Sequence, residues 1–100
     1  MTIEEAIQRL RLFDPFVTKD FSRGTRFTCP SGKVTLTFNY YRSLVACPVC
    51  RQLISHGRIV LEHSDGMSVE FPVQMYHYID AGHPITGIDG DLLIEIVNEI

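Results

Sequence analysis

The chain has 100 residues, 45% of them apolar and 21% charged, with a net charge of −3. That length is one domain's worth and that apolar share is enough for a core, which excludes a disordered chain and a second independent fold. No run of about 20 apolar residues occurs and the start, Met1 to Glu5, is acidic, so a membrane span and a signal peptide are not expected, and a cytoplasmic protein is.

Thr2 and Glu5 have the spacing of a capping box, in which each side chain satisfies the other residue's free backbone N–H. Ile3, Ala6, Ile7, Leu10 and Phe13 follow on one helical face, and Asp14-Pro15 is predicted to end the helix. After a polar connection from Lys19 to Arg26, Val34, Leu36, Phe38 and Tyr40 alternate with polar residues in the period of a half-buried strand. Leu44 to Ala46 is a brief apolar return.

A second hairpin can be registered from pattern alone. With Ser64-Asp65-Gly66 as a three-residue loop, His63 faces Met67, Leu61 faces Val69 and Ile59 faces Phe71, which gathers the apolar side chains on one side. Pro72 is placed in the first turn of a helix carrying Val73, Tyr76 and Ile79 and ended by Gly82. Asp89 caps the last helix, whose buried stripe is Leu92, Leu93, Ile96, Val97 and Ile100.

Three cysteines, an odd number without a secretory signal, do not make a disulfide framework. Cys29-Pro30-Ser31-Gly32 and Cys47-Pro48-Val49-Cys50 are two Cys-Pro turns joined by strand-like residues, and they resemble the paired knuckles of a zinc ribbon. The resemblance implies a metal-binding segment over residues 27–56 holding a structural zinc through Cys29, Cys47 and Cys50, with Gly32 where a ribbon has its second cysteine. Structural zinc is four-coordinate, so a histidine is expected to complete the set. His56 is nearest in sequence and His63 is the alternative, whereas His77 and His83 require a long return of the chain. The expected fold is therefore one α+β domain over residues 1–100, with a zinc-ribbon-like hairpin, a second antiparallel hairpin and flanking N- and C-terminal helices.

Cys47-Pro48-Val49-Cys50 also resembles the redox turn of thioredoxins and glutaredoxins, which implies Cys47 as nucleophile, Cys50 as resolving thiol and a helix starting near Arg51. Against it, 46 residues precede Cys47, whereas those families place the turn near the start of a βαβ unit. No Gly-rich phosphate loop, Gly-x-Ser-x-Gly turn or His-Glu-x-x-His helix occurs, so no enzyme site is expected.

Charge is divided along the chain. All nine cations lie between Arg9 and Arg58 against only Asp14 and Asp20, a net +7, while residues 59–100 hold eight acids and no base. Arg26, Lys33, Tyr41, Arg42 and Arg51 would serve a DNA- or RNA-binding surface, cations meeting phosphates and the ring stacking on a base. The acidic half suits a basic protein partner, with Ile94 left exposed beside Glu95 and Glu99 on the last helix. The expected function is a non-catalytic regulator or adaptor that binds a larger protein, such as part of a nucleic-acid-processing complex. Direct nucleic-acid binding and thiol exchange are the alternatives.

Overall fold

A computed structural model describes all 100 residues. Its elements in chain order are α1 (Ile3–Arg11), α2 (Pro15–Thr18), β1 (Arg26–Thr28), β2 (Val34–Ala46), β3 (Leu53–His63), β4 (Ser68–Pro72), α3 (Gln74–Ala81) and α4 (Gly90–Val97). The four strands form one antiparallel sheet in the order β1-β2-β3-β4, so the chain is the α+β domain expected.

The local signals act as their chemistry requires. Thr2 and Glu5 close a capping box at α1, with Glu5 N–H donating to Thr2 Oγ1 at 3.1 Å and Thr2 N–H donating to Glu5 Oε1 at 3.2 Å. Asp89 caps α4 by accepting from Leu92 N–H at 3.1 Å. In the second hairpin Ile59 pairs with Phe71 and Leu61 with Val69, and His63 N–H donates to Met67 O at 2.7 Å. That is the predicted register, because any other mixes the two faces.

Leu36, Phe38, Ile59, Leu61 and Phe71 are buried on one face of the sheet, where Ile7 and Leu10 of α1 and Leu93 and Ile96 of α4 cover them. Full burial of each such side chain contributes about 1.5–3 kcal/mol. Thr35, Asn39, Glu62 and Glu70 alternate with these core residues along β2, β3 and β4 and make the opposite face.

Three local expectations are corrected. Asp14-Pro15 ends α1 but also starts α2, because Asp14 Oδ1 accepts from Phe16 N–H at 2.9 Å and Pro15 fits a first turn. Pro72 closes β4 and does not open α3. Strand β2 runs without interruption from Val34 through the Leu44 return to Ala46, with a bulge between Tyr40 and Leu44.

This length creates an arm. Strand β1 pairs with β2 only at Thr35–Thr37 and β4 with β3 only at Arg58–Glu62, whereas β2 and β3 stay paired out to Ala46 and Leu53. Gly57 marks the junction: a Cβ there would stand 2.2 Å from Asn39 O, so no other residue lets the strands approach this closely.

Candidate metal centre

At the tip of the arm, Cys47-Pro48-Val49-Cys50 joins β2 to β3. Cys47 N–H donates to Gln52 O and Arg51 N–H to Cys47 O, both at 2.8 Å, and Arg51 takes the left-handed conformation (φ 64°) that closes the knuckle. Burial of Cys47 opposes its ionisation, but the N–H groups of Cys50 and Val49 directed at its sulfur outweigh this and hold the thiol below its ordinary pKa. Thiolate is the form that binds metal.

The other half of the site comes from α3. His77 lies at its middle, and Gly82, left-handed at φ 74°, folds the chain back so that His83 N–H donates to Tyr78 O at 2.8 Å. This glycine-closed helix end brings the His83 ring centroid to 5.3 Å from that of His77. His77 Nε2 stands 3.2 Å from Cys50 Sγ. The donor atoms of Cys47, Cys50, His77 and His83 all lie within 4.8 Å of one another, close enough to hold a metal ion.

The donors fit such an ion. Two ligands on a tetrahedral zinc stand about 3.3–3.8 Å apart given its bond lengths, so the widest gap needs to close by only about 1 Å. His83 Nε2 is buried without a hydrogen-bond partner. A buried ring nitrogen left unpaired is costly, and a metal bond satisfies it.

The donors that the fold brings together differ from the expected ligands in two of four members. Cys29 is in the core at 2% exposure, in the turn joining β1 to β2. Its turn copies the knuckle, with Cys29 N–H donating to Val34 O at 2.8 Å and Gly32 left-handed at φ 75°. The two turns cap opposite ends of β2, however, and its 13 residues place them about 40 Å apart. One strand separates these turns, so they do not converge on one ion as ribbon knuckles do. His56 is carried up β3, its Nδ1 3.2 Å from Ser43 Oγ and its ring edge-on to Tyr41. The return turn that would have brought it to the cysteines is replaced by strand. His63 is at the far end of β3, with Nδ1 2.9 Å from Asp65 Oδ1. The long return of the chain that set His77 and His83 behind His56 and His63 is the one the fold makes, and Cys-x₂-Cys followed by His-x₅-His is a ligand spacing in its own right.

The redox geometry is also different from that expected. Cys47 is fully buried and Cys50 exposed, and Leu53 begins a strand, so the knuckle opens no helix. The basic residues do not converge: Lys33 pairs with Glu99 at 3.3 Å at one end of β2, while Tyr41, Arg42 and Arg51 are on the arm and Arg26 is in β1. Ile94 of α4 is partly buried against the core, Glu99, just past the end of that helix, is held by Lys33 and accepts Ser31 Oγ–H through its carbonyl at 3.1 Å, and Glu95 alone of the three is exposed.

Two features beside the centre were not foreseen. Asp14 is fully buried, and its Oδ2 accepts from Tyr40 OH at 2.7 Å and Tyr76 OH at 2.8 Å, which ties α2, β2 and α3 together. Next to it, a groove of about 380 Å³ runs between the arm and α3, lined by Val17, Leu44, Leu53, Val73, Gln74 and His77 among others, with Arg11 and Asp80 paired at 2.8 Å along its wall.

Comparison with protein-family models, with curated proteins and with solved structures returns no match. No helix is long and apolar enough to cross a membrane.

Proposed function

We propose that this chain is a non-catalytic interaction domain in which Cys47, Cys50, His77 and His83 hold one structural zinc ion. The observation that carries this reading is the closed donor set: two thiols and two imidazoles within 4.8 Å of one another, one imidazole nitrogen otherwise unpartnered. Mixed sulfur and nitrogen donors in a tetrahedron select zinc, and four protein ligands leave no position for a substrate or reactive water. The ion then acts as a cross-link. It ties the tip of a long arm to α3, which a domain of this size cannot hold by burial alone.

Such a domain works by presenting surfaces to a larger protein or complex in a compartment reducing enough to keep thiols unpaired. Elemental analysis of tag-free protein is expected to find one zinc per chain, lost in Cys50→Ser and His83→Ala but kept in Cys29→Ala and His56→Ala. Protein that carries no metal when freshly purified, and whose near-UV spectrum a chelator leaves unchanged, overturns the reading.

A further inference from the structure

We propose that the groove between the β2–β3 arm and α3 is a docking site for an acidic, leucine-rich type of segment of a partner protein; this rests on the interaction-domain reading and adds to it the site and the partner's chemistry. Leu44 and Leu53 project from the arm at 61% and 64% exposure, and Val17 of α2 is 42% exposed across the same groove. Large apolar side chains gathered around one concavity mark an interaction site, where scattered ones do not.

Charge identifies the occupant. Arg42 and Arg51 are carried on this arm in no ion pair, and Lys19 follows Val17 unpaired, while no carboxylate occurs anywhere from Phe21 to Leu61. Asp80, on the groove wall, is already neutralised by Arg11. An apolar seat formed in part by an arm that carries unpaired cations and no carboxylate fits a segment whose leucine, isoleucine or phenylalanine side chains alternate with aspartate or glutamate. A nucleic acid fits less well, because it has phosphates for the arginines but nothing aliphatic for Leu44 and Leu53. His77 is both a metal donor and a groove wall, so the ion sets the width of the seat.

The test is selection of random phage-displayed peptides on zinc-loaded protein, with the recovered peptides then synthesised and their affinities measured. The expected peptides combine acidic with large apolar residues. They lose at least about tenfold in affinity for Leu53→Asp and for Arg42→Glu. Both variants alter exposed side chains, and their zinc content and circular dichroism should match the parent's. Peptides without acidic residues, peptides insensitive to these variants, no enrichment at all, or displacement by a single-stranded oligonucleotide would each overturn the proposal. Peptides that instead respond to Glu95→Lys leave the interaction-domain reading standing and defeat only this site, whereas failure of the parent protein to carry zinc defeats that reading and this proposal with it.

Discussion

His77 Nε2 stands 3.2 Å from Cys50 Sγ across 27 residues of chain, and this pair joins the arm to the helical layer. Replacing His77 by Ala removes one of four donors and the link to α3. We expect zinc affinity to fall by well over tenfold, since structural zinc contributes on the order of 10 kcal/mol shared among its ligands. Competition with a chromogenic chelator measures the loss, and His56→Ala is expected to leave affinity unchanged.

Asp14 supplies a second cross-link that requires no metal. Asp14→Ala orphans the hydroxyls of Tyr40 and Tyr76 and removes the cap of α2. Each buried group left without a partner costs about 1–3 kcal/mol, so urea denaturation should show a loss of about 3 kcal/mol or more. Tyr76→Phe leaves one hydroxyl fewer to satisfy and is expected to cost less than half as much.

The same network predicts the alkaline limit of stability. Burial first, then the Asp14 carboxylate and its hydrogen bonds, raise the pKa values of Tyr40 and Tyr76 well above the ordinary tyrosine value. Because the folded state holds these protons more tightly, their stabilisation is fully present below the unfolded pKa of about 10 and is lost as pH rises above it. The urea midpoint should therefore be insensitive to these two groups at neutral pH and fall beyond pH of about 10, more steeply in the parent than in Tyr40→Phe, Tyr76→Phe.

How much of this was legible in the sequence depended on the range of each signal. The α1 cap, the Ile59-to-Phe71 register and the Gly82 stop rest on residues a few positions apart, and all three stand in the structure. The cysteine turns were recognisable, but whether two turns meet depends on how many strands lie between them. Here there is one, β2, and its uninterrupted length decided against Cys29. The pairing of His77 with the knuckle depends on where β4 delivers α3 relative to the arm, which no local pattern encodes. Asp14 was readable as a helix terminator, but its partners Tyr40 and Tyr76 lie 26 and 62 residues away.

Two left-handed residues flank the centre and respond oppositely to substitution. Gly82→Ala puts a Cβ into a conformation at φ 74° that favours glycine and should cost about 1 kcal/mol while weakening zinc binding through His83. Arg51→Gly relieves the same conformation at φ 64° and should stabilise the zinc-loaded protein by about 0.5–1 kcal/mol. Chemical denaturation of the two variants side by side checks both signs.

The most direct measurement is zinc K-edge X-ray absorption on the purified, metal-loaded protein, because it counts sulfur and nitrogen ligands without any substitution. Cys47, Cys50, His77 and His83 predict two sulfurs at about 2.3 Å and two imidazole nitrogens at about 2.0–2.1 Å. A first shell of three sulfurs and one nitrogen, as a site including Cys29 would give, or a shell containing oxygen, would contradict the account.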